Sequence, residues 1–312
     1  MTNTPHPTDQ KAAVSLFGAD SRRRIARLKA LPPLPYREQE IVKLLSDPDL
    51  DLLSLVELVE QTPALSARLL GVANSAYFGN AVQVKRISDA IIRVLGLNLV
   101  RDLSLSLILS QQFRIGDCRR FDMLRFWKHA MYCAILADGL APSVSVDAAD
   151  ERDWAYLGGL LHSLGVLALV HLEPQAMDDA FGQAAGDPNR TLSSLEKELL
   201  GIDHCEAGAA VARAWQLPDP LTAVVQHHRD PQYRGRHWRL VVVVGLADRI
   251  SLDRLATGGG DDAPKMLHIA AVTDALDALG IPFEVLQQAY RLWVHHAERI
   301  DQLAAAFARP LP

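Results

Sequence analysis

The chain has 312 residues, 49% of them hydrophobic and 22% charged, with a formal net charge of −5. That composition suits a folded globular protein with a sizeable core and gives no general attraction for a phosphate backbone. Unbroken apolar runs such as Leu240 to Val244 fall far short of the roughly 18 residues that cross a bilayer, and Cys118, Cys133 and Cys205 fit neither a CxxC pair nor a disulfide framework. With no apolar signal core near Met1, the expectation is a soluble cytoplasmic protein with reduced thiols.

Residues 1–9 read as a loose tail, followed by a helix from Gln10 to Lys29. Within it, Arg22, Arg23, Arg24, Arg27 and Lys29 form a local basic run, read as a solvated helix face, with a nucleic-acid-touching arm as the minor reading. Leu31-Pro32-Pro33-Leu34-Pro35 stops that helix. Helices are predicted at Tyr36–Leu45, Leu52–Gln61 and Ala64–Ala73, the last started by Thr62 as cap and Pro63 at the first helical position. After a loop around Gly79, Ser88 is expected to cap Asp89–Leu95, Gly96 to stop it, and Asn98 to cap Leu99–Phe113. Nothing here alternates at period two, so this part reads as a helical unit.

Helices follow at Asp122–Leu140, Trp154–Leu161 and Val166–His171, with a loop at Pro142–Asp150. Two capping-box spacings, Ser193 with Glu196 and Asp203 with Glu206, predict helix starts near residues 194 and 204. Leu221–His228 is the next helix. Arg239–Asp253 holds four consecutive valines, a strand-like run that is assigned to a helix because the chain offers no partner strand. Thr257–Asp262 is a glycine loop without the lysine of a phosphate loop. Lys265–Leu279 and Pro282–Phe307 close the chain as two amphipathic helices whose apolar faces leave room for a homodimer.

Of the eleven histidines, His6, His171, His237 and His268 stand alone, and the pair His295-His296 has no acidic companion. His129, His162, His204, His227 and His228 lie on or beside apolar helix faces, and Asp248 sits in an apolar run. A lone buried histidine is ordinarily a hydrogen-bonded core residue. A buried carboxylate without a partner costs several kcal/mol, so the economical arrangement brings all six groups to one polar pocket.

Their order, His129, His162-Ser163, His204, His227-His228, Asp248, resembles the metal-ligand order of the HD-type phosphohydrolase superfamily and especially its HD-GYP branch. The N-terminal half resembles the HDOD domain through the proline cluster, Thr62-Pro63-Ala64-Leu65, Leu69 to Phe78, and Ile87 to Gly96. That likeness continues through Phe126-Trp127-Lys128-His129 and Leu157 to Gly165, and covers roughly residues 25–255. It implies an all-α protein in which an N-terminal helical bundle packs on an HD-like helical core. The expected division is a tail at 1–20, the N-terminal helical part at 21–118, the core at 119–255 and C-terminal helices at 256–312.

The resemblance implies a regulatory module of bacterial signalling, and phosphodiesterase activity only where every ligand is kept. Here Ser163 stands where active relatives carry the aspartate that bridges two metal ions, no lysine follows the doublet, and Gly201-Ile202-Asp203-His204 replaces the Gly-Tyr-Pro loop. Five neutral imidazoles and one carboxylate balance two divalent ions poorly. The residual set His129, His162, His204, His227, His228 and Asp248 suits at most one divalent ion, Zn, Fe, Ni or Mn. The reading is a non-catalytic module that binds a signalling protein or a cyclic or otherwise nucleotide-like ligand. The alternative is a phosphohydrolase with an altered single-metal site.

Overall fold

The computed structural model describes residues 34–308 apart from residues 48, 76, 80–82, 145–148, 188 and 258–264. The expected helix Gln10–Lys29 with its basic run, most of the proline cluster and the glycines of the 257–262 loop lie outside the described residues.

Among the described residues the fold is all-α, as expected, without a strand. Among the described residues the N-terminal part consists of α1 (Tyr36–Leu45), α2 (Leu52–Glu60), α3 (Pro63–Ala73), α4 (Ile87–Ala90) and α5 (Leu97–Ser110). Asp51 caps α2 by accepting the Leu53 and Ser54 amides, and Pro63 occupies the first turn of α3. Thr62 precedes it, but its hydroxyl donates back to Leu58 O instead of capping forward. Ser88 and Asn98 lie inside helices, and neither caps. α4 starts one residue after Arg86 and widens into a π-turn at Ile91–Leu95. Gly96, at φ 78°, then turns the chain directly into α5, a left-handed conformation that favours glycine.

The core is built on α6 (Met123–Leu140), α8 (Ala155–Leu161), α9 (Leu164–Leu172), α12 (His204–Ala214), α13 (Asp219–His227) and α14 (Trp238–Thr257). Between them run a one-turn α7 (Ala149–Arg152), α10 (Pro174–Gly186) and α11 (Leu192–Leu200). α10 has no counterpart in the sequence expectation, although Pro174 marks its first turn. α6 packs against α8 and α14, and α9 packs against α12. The valines Val241–Val244 are buried in α14, where α6, α8 and α13 surround the helix. Packing on several sides, rather than propensity, sets their conformation. Ala155–Leu172 is apolar and long enough to cross a membrane by composition, but 83% of it is buried inside the fold, and the chain breaks it at His162-Ser163.

The capping box at Asp203 and Glu206 forms as expected. The one expected at Ser193 and Glu196 does not. Thr191 caps α11 instead, which frees Ser193 to donate to Asp203 and Glu196 to turn inward. The long C-terminal helix is two, with a break at His296: α16 (Phe283–His295) and α17 (Ala297–Ala308), after α15 (Ala270–Leu279). The break lets Trp293 donate to Tyr132 O at 3.0 Å while Phe307 meets Trp127 edge-on at 5.0 Å. α17 thereby touches both α6 and α3 and ties the N-terminal part to the core.

Candidate metal centre

Two close backbone approaches set the position of the histidines. Gly165 opens α9 against the start of α12, where a Cβ would overlap the carbonyl oxygen of His204. Gly245 brings α14 against the end of α13, where a Cβ would overlap the carbonyl oxygen of His228. Side chains at these places would push the helices apart, so glycine permits the approach that gathers His204, His228 and Asp248 beside His162. The imidazoles then run in a chain. His129 and His162 stand 4.8 Å apart between ring centres, His162 and His228 5.0 Å, and His204 and His228 5.8 Å.

At one end of this chain lies Asp248. Its Oδ1 is 3.0 Å from His129 Nε2 and 3.3 Å from His162 Nε2, and its Oδ2 is 3.1 Å from Arg229 Nε. His162 Nδ1 lies 2.7 Å from Gly159 O. A carbonyl only accepts, so Nδ1 carries the proton and the Nε2 lone pair of a neutral ring faces the carboxylate. None of His129 Nε2, His162 Nε2 and Asp248 Oδ1 makes an aligned hydrogen bond, although all three are buried. Burial alone would raise the Asp248 carboxyl, but chiefly the Arg229 guanidinium outweighs it and holds the group well below the usual carboxylate range. Burial lowers His129.

The other end is built differently. His204 Nδ1 is 2.5 Å from Glu196 Oε2, which also accepts the His204 amide at 2.9 Å. His228 Nδ1 faces the carbonyls of Val224 and Val225 at 3.1 and 3.2 Å, so its Nε2 is likewise left without the ring proton. Cys205 Sγ sits 4.0 Å from that Nε2. His204 Nε2 is buried and has no hydrogen-bond partner. Burial depresses His204, but the Glu196 carboxylate more than offsets it and raises the group to about 10. Burial pushes His228 well below the ordinary histidine range.

Five of the six sequence-expected residues thus come together, as two groups of ligating atoms: His129, His162 and Asp248, and His204 and His228 with Cys205. His227 joins neither group. It stacks flat on Tyr233 at 4.1 Å, because the last turn of α13 points adjacent residues to different faces. Ser163 is buried beside His162 and adds no charge.

The residues fit a single ion better than two. Unpaired buried Nε2 atoms are what metal ligands look like without metal, and each of His162, His204 and His228 has its other nitrogen fixed by an oxygen acceptor, which orients such ligands. At Asp248, however, the guanidinium already neutralises the one carboxylate. A divalent ion there would add two charges beside Arg229 with no further anion in contact.

Three residues of this arrangement were not singled out from the sequence. In the sequence Glu196 reads only as a capping-box residue and Cys205 only as an isolated thiol, and Arg229 has no part in the ligand pattern. Only Arg229 carried a usable signal, since a cation directly after His227-His228 is placed to reach whatever the pair faces.

The sequence pattern of the HDOD domain matches residues 31–231. A protein of Treponema pallidum (strain Nichols) is 30% identical over 223 residues, which is 71% of this chain but 42% of that relative. A solved structure of a candidate signal transduction protein from Marinobacter aquaeolei VT8 is 26% identical and superposes with a TM-score of 0.79 over 95% of this chain and 66% of its own. A candidate phosphohydrolase from Shewanella amazonensis SB2B shares the fold, at 24% identity and a TM-score of 0.71 over 91% of this chain and 97% of its own. The chain therefore spans less than half of the Treponema relative and about two thirds of the Marinobacter protein.

Proposed function

The chain belongs to the HDOD domain family, and from that premise we propose that it is a regulatory module of signal transduction that binds in the cytoplasm and does not hydrolyse. One observation carries this reading: the carboxylate in the Asp248 group is committed to Arg229 at 3.1 Å, and Ser163 supplies no second one. Two-metal hydrolysis needs anionic bridging oxygen ligands that hold both ions and help form the hydroxide nucleophile. Here the internal guanidinium takes the role of counter-ion. The likeness to the Marinobacter protein supports a signalling context.

The module acts by binding a signalling protein or a small nucleotide-like ligand. Arg229, whose side chain is 32% exposed, and the edge of His129 are the parts of the Asp248 group that reach solvent. A phosphate meeting them gains a charge-assisted contact with the guanidinium. Calorimetry of cyclic dinucleotides against the full chain in chelator separates the two kinds of partner. Metal-independent binding that Arg229→Gln weakens assigns the nucleotide-like ligand, and absence of binding assigns the protein partner. Turnover of the dinucleotide would contradict both.

The unpaired Nε2 atoms favour a second reading, a phosphohydrolase with one divalent ion. His162 and Asp248 would hold it and His129 or His204 would face the phosphate. The ion would supply Lewis acidity and an activated water. Metal-dependent turnover lost in His162→Ala is the result this reading requires.

A further inference from the structure

The two ends of the imidazole chain differ in charge and in donor atoms. The Asp248 end holds one carboxylate already matched by a guanidinium. The Glu196 end holds a buried carboxylate, a buried thiol and two buried imidazoles, with no arginine or lysine in contact with them among the interactions described. Lys197, beside Glu196 in sequence, is engaged by Asp203 at 3.0 Å.

We propose that His204, Cys205 and His228 form a binding site for one zinc-class divalent ion, in which the Cys205 thiolate and the Glu196 carboxylate behind His204 supply the negative charge that position 163 lacks. Three observations converge. The three ligating atoms lie within 4.8 Å of one another. His204 Nε2 is buried without a partner, while its Nδ1 is held by Glu196, the carboxylate–histidine pairing that orients metal-binding imidazoles. Nε2 of His228 is the free nitrogen and stands 4.0 Å from Cys205 Sγ. Cys205 Sγ stands almost equally far from both ring nitrogens of His228, 3.9 Å from Nδ1 and 4.0 Å from Nε2, so capture of an ion, at zinc–sulfur and zinc–nitrogen bonds of about 2.3 and 2.05 Å, asks the Cys205 side chain or the His228 ring to turn until the sulfur faces the Nε2 lone pair.

Charge decides between the two ends. A divalent ion that binds Cys205 as thiolate and His204 through Nε2 releases the thiol proton and the second ring proton of the raised His204 to solvent, and with Glu196 behind it then meets two negative charges and is neutralised. The same ion at Asp248 meets one, and that one shared with Arg229. Thiolate also selects for zinc and other soft ions over magnesium or calcium. Three protein ligands leave a fourth position, the number typical of an open zinc site. The inference does not depend on whether the module hydrolyses anything.

The test uses the full chain stripped with chelator and titrated with Co(II), then with Zn(II). The expected result is one ion per chain with a thiolate-to-cobalt charge-transfer absorption, displaced by zinc. Cys205→Ser abolishes the band, Cys118→Ser and Cys133→Ser keep it, and Glu196→Gln weakens affinity by about 10–100-fold. X-ray absorption of the zinc-loaded unaltered chain makes the test independent of variant folding, and is expected to show one sulfur at about 2.3 Å. A shell of nitrogen and oxygen only, a band that survives Cys205→Ser, or failure to bind either ion overturns the proposal. Hydrolytic assays have no bearing on it.

Discussion

Arg229 Nε lies 3.1 Å from Asp248 Oδ2, and this contact places a fixed cation beside the carboxylate that two imidazoles also approach. Breaking a buried ion pair by removing one partner leaves an uncompensated charge and costs several kcal/mol. Arg229→Ala is therefore expected to destabilise the chain by about 3 kcal/mol in chelator, the low end of that range because the guanidinium is partly exposed. Added divalent ions should recover part of the loss, since His129, His162 and Asp248 then take a metal in its place. Urea unfolding with and without metal measures both.

Restoring the missing acid tests the same logic in the opposite direction. Ser163→Asp places a second carboxylate beside His162, and together with Arg229→Ala it turns the local balance from neutral to two negative charges. The double variant is expected to bind at least one more Mn(II) or Fe(II) per chain than the unaltered protein, as measured by elemental analysis after gel filtration. Equal metal content in the two proteins would show that position 163 does not face the ion.

The glycine approach behind the site makes a structural prediction. A Cβ at Gly165 meets the backbone of His204 and Gly208, which cannot rotate away as a side chain would. Gly165→Ala is expected to cost about 3 kcal/mol or more. Gly139→Ala, on the exposed face of α6 with open space around it, is expected to stabilise by about 0.5–1 kcal/mol through helix propensity. Paired thermal melts distinguish close packing from a general intolerance of alanine.

A pH dependence follows from Asp102, outside the candidate centre. Burial raises its carboxyl from 3.8 to about 7, only partly offset by Arg101 at 3.2 Å, with Asp138 and Asp153 adding to the rise. The folded chain therefore holds this proton more tightly than the unfolded chain, and the stability it contributes is full below pH 3.8 and lost as pH climbs to about 7. Asp102→Asn is expected to flatten that decline between pH 4 and 7, because it removes the titration. Unfolding midpoints across that window report it.

Much of the helical order was legible because it rests on local chemistry. The proline at position 63, the glycine at 96, the Asp203–Glu206 capping box and the Tyr36–Leu45 pattern each act within a few residues, and each appears where expected. The errors came where tertiary contacts overrode a local motif. Ser193 and Glu196 have capping-box spacing, yet Glu196 forms its bonds with His204 eight residues on. In the site, ligand order brought five residues together, because buried ionisable groups must share a polar nest. The side to which His227 turned, the Arg229 counter-ion and the Cys205 contact depend on how α12, α13 and α14 cross. No spacing along the chain encodes those angles.

The central claim, a histidine nest that binds without hydrolysing, meets its most direct test in a turnover measurement on the 312-residue chain. Cyclic dinucleotides and a generic phosphodiester are incubated with high protein concentration and added Mn(II) or Fe(II), beside His162→Ala. The account predicts product at the protein-free background in every case. Metal-dependent product formation that His162→Ala abolishes would contradict it.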